Sequence, residues 1–235
     1  MKKLLFLAVG AALMLGIAGC EKATVVSVAS CDGFIKSIKN PKDTSKVVYA
    51  AIHSVASYDL IASASVVAPD GVSTLQLTDY DKLGYSFYNA PADTTYSATV
   101  PPLGVYTYKV TFKDKEVISY TNSISSSILL PPTITGLTKS ANADTVYIHW
   151  KIVVNAQAYQ IKISKGTTSI KYIWPFSDSS SPLKERLTIG IPTSYFSVSQ
   201  YGAGTYTIGL DGLLYESTDY TYLQSIGSST VNVTL

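Results

Sequence analysis

Few residues in this 235-residue chain have the types and spacing that chemistry requires. Its two histidines, His53 and His149, have no Cys or second His at ligand spacing, so the sequence spells out neither a zinc set nor a His-centred acid–base pair. Each lies on an alternating run at the parity opposite to Ile52, Ile148 and Trp150, which predicts two surface strand histidines. Asp79-Tyr80-Asp81-Lys82-Leu83-Gly84 opens like a calcium loop, with acids at positions one and three and Gly at six. Leu83 at position five and Ala90 at position twelve offer no oxygen ligand, so a solvated acidic turn is expected there. Asp178 and Glu185 flank one loop without a partner that would raise one carboxyl against the other. Gly202-Ala203-Gly204 precedes a strand and not a helix, which makes it a turn and not an anion cradle. Gly-x-Ser-x-Gly and His-Glu-x-x-His motifs are missing. These observations predict no cofactor, no metal site and no enzyme.

The remaining chemistry is that of aromatic faces. Tyr172-Ile173-Trp174-Pro175-Phe176 precedes a polar loop, Ser177 to Pro182, and the chain carries 18 tyrosines, more than two small cores can bury. Tyr172, Trp174 and Phe176 are therefore the candidate ligand-binding residues. Flat rings at a strand edge stack on a sugar face or anchor a partner protein at low entropic cost. The competing reading is that Trp174 folds back as a lid over the edge of the core.

The elements that position these rings read as strands. Tyr106-Thr107-Tyr108-Lys109-Val110-Thr111-Phe112-Lys113 and Ala158-Tyr159-Gln160-Ile161-Lys162-Ile163-Ser164 alternate with period two. Further runs are expected at Lys46 to His53, Leu60 to Val67, Thr74 to Thr78, Tyr85 to Tyr88, Thr95 to Val100 and Ser127 to Leu130. After Pro131-Pro132 they resume at Asp144 to Ile152, Ser169 to Ile173, Leu187 to Ile191, Thr205 to Leu210 and Thr230 to Leu235. Pro69-Asp70-Gly71 is a turn with a mechanism, and the proline pair marks a boundary because it cannot donate to a ladder. Gly104-Val105-Tyr106-Thr107 recurs as Gly204-Thr205-Tyr206-Thr207, and Val48-Tyr49 as Val146-Tyr147, each Gly-x-Tyr-Thr followed by a strand and an expected turn (Asp114-Lys115, Asp211-Gly212). The order of these pairs points to tandem duplication.

Removing Lys2 and Lys3 from the 18 basic residues leaves 16 against 16 acidic ones. A neutral chain without a basic run has no electrostatic footprint for nucleic acid. Those two lysines open a different stretch, an apolar run from Leu4 to Gly16 closed by Ile17-Ala18-Gly19-Cys20. It resembles a bacterial lipoprotein signal peptide, whose lipobox matches those four residues, and it is shorter than a membrane-spanning helix. The resemblance implies cleavage before Cys20, acylation of its sulfur and freed amine, and a stable membrane anchor, since two or more acyl chains hold where one does not. Glu21 in place of an aspartate favours the outer membrane. Cys31 is then left alone, expected to be buried or partly buried and without an intramolecular disulfide.

The second half resembles a fibronectin type III module in four places: Pro132 before an opening strand, Trp150 closing Thr145 to Trp150, Tyr159-Gln160-Ile161, and Gly204-Thr205-Tyr206-Thr207-Ile208. The resemblance implies that Trp150 fills the core and that the Tyr206 hydroxyl bonds back to the preceding corner. The expected organisation is all-β: a signal peptide over 1–19, the lipidated Cys20 and a tether over 20–30, and two tandem immunoglobulin-like sandwiches over 31–130 and 131–235. The expected function is a lipid-anchored, non-catalytic binding or scaffold module for a glycan or an envelope protein. A structural spacer is the alternative, and a hydrolase with an unrecognised site ranks third.

Overall fold

The computed structural model describes residues 26–174, 188–217 and 220–235; Cys20 and Phe176 lie outside the described residues. The strands of the first half are β1 (Ala29–Asn40), β2 (Asp43–Ser57), β3 (Ile61–Val67), β4 (Thr74–Gln76), β5 (Thr78–Asp79), β6 (Ser86–Asn89), β7 (Gly104–Phe112) and β8 (Val117–Ile124). The second half supplies β9 (Ile134–Lys139), β10 (Thr145–Trp150), β11 (Ala158–Lys165), β12 (Thr168–Ile173), β13 (Thr188–Pro192), β14 (Thr205–Tyr215) and β15 (Leu223–Thr234). Eight of these form one sheet in the order β12-β11-β14-β15-β1-β2-β6-β5. A four-stranded sheet, β4-β3-β7-β8, and a three-stranded sheet, β13-β10-β9, pack against it. The fold is an all-β sandwich.

Period-two patterning builds both cores. In β7, Tyr106, Tyr108, Val110 and Phe112 point inward while Val105 and Lys109 face water, as a strand with one solvated face requires. They meet Ile35, Val55, Ile61, Ala64 and Phe87 in the first cluster. The second cluster gathers Val146, Ile148 and Trp150 of β10 with Ile161, Ile163, Tyr206, Ile208 and Leu210. Trp150 is buried at 3% exposure, its ring 5.3 Å from that of Tyr159 in an edge contact. Tyr206 donates from its hydroxyl to the Gly202 carbonyl at 2.5 Å. The first half repeats this device, Tyr106 donating to the Pro102 carbonyl at 2.6 Å. Gly104 and Gly204 precede the two tyrosines at φ 124° and 128°, values that an L side chain rarely adopts.

The expected boundary at Leu130/Pro131 falls near the division between the two clusters, with Leu129 already packed into the second, and it does not interrupt the eight-stranded sheet. There β1 pairs with β15 in parallel, Ile35 opposite Ser225 and Ile38 opposite Ser228. Both clusters lie on the same face of this sheet, and the connecting segment crosses that face between them on a bed of small residues. A Cβ at Gly227 would collide with the Leu130 carbonyl. Ser225 Oγ accepts the Leu129 N–H at 2.9 Å and donates to the Ile35 carbonyl at 3.0 Å. Ser37 and Ser229 donate to the carbonyls of Leu129 and Pro132 at 2.5 and 2.6 Å. Serines thus supply partners for the Leu129 N–H and carbonyl and for the Pro132 carbonyl, where the connection joins no ladder.

Several expectations change here. Residues 26–30, assigned to the tether, belong to the folded body: Ser27 N–H donates to Glu116, and Ala29 and Ser30 open β1. Ser127 to Leu130 forms no strand but the serine-held connection. Thr95 to Val100 forms only a single bridge, Ser97 with Tyr49. Asp211-Gly212 is not a turn but the middle of β14, where Gly212 lets Leu129 and Tyr159 approach. His53 is not a surface residue but 2% exposed. Its parity opposite Ile52 holds, yet β2 is covered on both faces. Ile52 joins Phe34 and Ala50 in a third cluster under Tyr88 and Tyr96, and His53 points into the first core.

Candidate functional site

The outer face of the eight-stranded sheet carries polar side chains across the β1–β15 junction. Register places Lys36 of β1 beside Ile226, Asp211 of β14 opposite Ser228 of β15, and Lys162 of β11 opposite Gly209. A groove of about 660 Å³ runs over them, its lining including Asp93 and Ile134 to Gly136. That volume falls within the range of small-ligand sites. Lys36 Nζ reaches Asp93 Oδ1 at 3.7 Å and stands 6.0 Å from the Tyr96 ring centre. Lys162 Nζ lies 5.5 Å over the Tyr172 ring. Burial pushes the Asp211 carboxyl above its ordinary value, opposed by the Ser228 side chain and the ammonium groups of Lys36 and Lys162. The Tyr172 phenol is held below its ordinary value, chiefly by the Ser169 side chain, with Lys162 assisting.

Of the three rings singled out in the sequence, Tyr172 stands beside this groove through Lys162 and is 50% exposed. Trp174, one residue past β12, is 55% exposed; Phe176 lies outside the described residues. Sequence reasoning missed Lys36, Asp93, Lys162 and Asp211. Lys162 was visible as the outward residue of a clean alternation. Asp211 was hidden because Asp-Gly reads as a turn. Lys36 and Asp93 meet only through the path of the chain after β6.

A second polar group is buried inside the first sandwich. His53 Nδ1 and Tyr108 Oη lie 2.9 Å apart, and burial holds the imidazole down at about 4. Gly33 leaves room for this pair, since a Cβ there would strike the Tyr108 hydroxyl and reach to 3.0 Å from His53 Nδ1. Next to it, burial pushes Asp32 up to about 6, the Leu223 N–H opposing and Glu216 adding to the shift. Cys31 is part-buried, and burial with help from Asp32 raises its thiol to about 12, so it is not a nucleophile at neutral pH. His149 sits on the outside of β10 between two hydroxyls, Thr138 and Thr188, each 2.9 Å away. In the Asp79–Gly84 turn, Asp79 and Asp81 accept the N–H groups of Gly84 and Leu83 at 3.3 and 2.9 Å. That is the solvated turn expected. Among the described residues no group of three His, Cys, Asp or Glu side chains is placed to hold a metal.

No family model matches the sequence, and no curated protein does. Solved structures that resemble it include a structure from a 1.5-MDa bacterial ice-binding adhesin, at 13% identity and TM-score 0.26, covering 87% of this chain and 63% of the other. The FN1–FN3 domains of chicken CNTN1 match at 11% identity and TM-score 0.27, covering 88% and 64%. The BSP domain of a biofilm-associated protein matches at 14% and 0.23, covering 78% and 27%. The chain spans less than two thirds of each of these structures, and at TM-scores of this size the likeness carries no inference about function.

Proposed function

We propose that the protein is a non-catalytic binding module of the cell envelope, anchored by acylation of Cys20, that holds a segment of glycan in the groove across the β1–β15 junction. The observation that carries this reading is the groove itself. It is open, about 660 Å³, and lined by lysine ammonium, carboxylate and hydroxyl groups, with tyrosine rings beside Lys36 and Lys162. Alternating donors and acceptors suit a neutral, hydroxyl-rich chain, and the tyrosine faces suit the C–H faces of sugar rings. Three lysines, Lys36, Lys39 and Lys162, stand against two aspartates, Asp93 and Asp211, an excess too small to select a strongly charged ligand. The anchor rests on the lipobox resemblance, with the outer membrane as its expected location.

The test is a glycan panel screened with the soluble chain from Glu21 onward. Retention of one glycan class is expected, with Lys162→Ala and Tyr172→Ala each weakening it about tenfold, the scale of a lost charge-assisted bond or ring contact. If no glycan is retained, the reading fails and the chain is a spacer. One observation favours the hydrolase as a second reading: Asp211, with its carboxyl raised by burial, shares the groove with Asp93, and glycoside hydrolysis calls for one carboxyl as acid and a second as base or nucleophile. Appearance of new reducing ends, abolished by Asp211→Asn, would support the hydrolase over the binding module.

A further inference from the structure

The end of the first sandwich at which β1 enters is a single rim made of four segments. Ser57 donates from its hydroxyl to the Val28 carbonyl at 2.6 Å and from its N–H to the Tyr85 carbonyl at 3.0 Å. Ile61 N–H meets the Gly84 carbonyl at 2.7 Å, and Lys113 N–H meets the Leu60 carbonyl at 2.8 Å. Ser27 N–H meets Glu116 at 3.0 Å. These bonds tie the start of β1, the β2–β3 turn, the 80–85 loop and the β7–β8 turn together. The rim exposes a set of large apolar side chains where turns are ordinarily polar. Tyr58 is fully exposed at 101%, Val28 and Leu83 are each 66% exposed, and Val26, Val117 and Leu60 add 59, 50 and 43%.

The acids of the same turns are occupied by backbone. Asp81 accepts the Leu83 N–H at 2.9 Å, Asp114 accepts the Glu116 N–H at 2.9 Å, and Asp59 faces the Val28 N–H at 3.4 Å. Lys82, Lys113 and Lys115 lie among them, so the rim is not a cationic patch.

We propose that this rim docks on a lipid bilayer, with the Tyr58 ring at headgroup depth and the Val and Leu tips against the acyl boundary. The inference rests on the anchoring of Cys20. Six residues from Cys20 to Val26 span at most ~20 Å, so the acylated residue stays within that distance of Val26 at the rim. An amphipathic Tyr with flanking aliphatic tips is the composition that partitions at a membrane interface. Because no cationic patch supports it, docking depends on apolar contact, and neutral phosphatidylcholine serves as well as an anionic membrane.

The experiment places the acylated protein in phosphatidylcholine vesicles and reads tryptophan quenching by lipid brominated on its acyl chains. Tyr58→Trp is expected to at least double the quenching seen with the parental chain, whose Trp150 is buried and whose Trp174 lies in the other half. Leu83→Ser added to Tyr58→Trp should reduce the gain by about half, and adding anionic phosphatidylglycerol should not increase it. A parallel sample carries Cys20→Ala and an N-terminal hexahistidine tag held on nickel-chelating lipid. If the untagged chain is not acylated but the tagged one is quenched, the anchor reading fails and the rim stands. If the tagged chain is held but Tyr58→Trp is quenched no more than the parent, the rim proposal is overturned. A Tyr58-dependent dimer in sedimentation, with no quenching, assigns the rim to a second copy and overturns it as well.

Discussion

Replacing Ser225 by Ala tests whether the two halves fold as one body. Ser225 is fully buried, and its hydroxyl is the only group shown to accept the Leu129 N–H, while also donating to the Ile35 carbonyl. The alanine methyl fills most of the volume, so no large cavity opens. It strands the Leu129 N–H in the interior, at about 1–3 kcal/mol for an unpaired buried donor. Loss of the bond to Ile35 adds about 0.5–1.5 kcal/mol. The sum is about 1.5–4.5 kcal/mol, which for a folded body of this size lowers Tm by about 3–18 °C. Urea unfolding followed by tryptophan fluorescence reads the second half, which holds Trp150 and Trp174, and amide hydrogen exchange of β7 at the same urea concentrations reads the first core. Both probes should move together to a lower midpoint, because Ser225 bridges β15, β1 and the connection. Adding Ser37→Ala should cost less than it does alone, since both serines hold Leu129. A change below about 0.5 kcal/mol, or a shift seen by one probe only, would refute the seam as a stabilising element.

Other perturbations follow from the same contacts. Gly227→Ala drives a methyl into the Leu130 carbonyl and should cost about 2 kcal/mol or more by denaturant midpoint; a neutral result means the connection does not lie on β15. Tyr106→Phe and Tyr206→Phe each remove one hydroxyl bond to a corner carbonyl and should each cost about 1 kcal/mol in thermal unfolding; unequal effects would break the structural equivalence of the two corners. In pH titration of stability, His53 has a folded value near 4 against an ordinary value of 6.5, so its contribution is full above about 6.5 and is lost as pH falls toward 4. Asp32, raised to about 6 from 3.8, acts oppositely: the stability it contributes is full below about 3.8 and is lost as pH rises through 6. Between pH 4 and 6 these two contributions oppose each other. Relative to wild type, Asp32→Asn should gain up to ~1.4 kcal/mol of stability per pH unit across that window, and an unchanged slope refutes the assignment.

Much of the strand content was legible because one-sided strands announce themselves. Tyr106 to Phe112, Thr145 to Trp150 and Ala158 to Lys165 each show apolar and polar residues in strict alternation, and each appears close to its expected place. Failures cluster where a strand is covered on both faces or where a backbone contact outweighs a side-chain pattern. On β2, burial of both Ile52 and His53 removes the contrast on which parity depends. On β15, Ser225 and Gly227 look like loop residues because their neighbours across the sheet belong to a strand almost two hundred positions away and to the connecting segment.

Sequence alone determined the all-β class and the repeat of Gly-x-Tyr-Thr, and the resemblances it carries pointed to Trp150 in the core, to the Tyr206 corner hydrogen bond and to Cys20. All of these depend on local periodicity or on a short motif whose partners lie within a few residues, as Tyr206 and Gly202 do. Tertiary structure alone decided that β1 pairs with β15, that both cores share one face of a single sheet, and that Lys36, Asp93, Lys162 and Asp211 line one groove. Those relations depend on parallel pairing between distant segments, and backbone hydrogen bonds of that kind leave almost no trace in the identity of the side chains that happen to flank them.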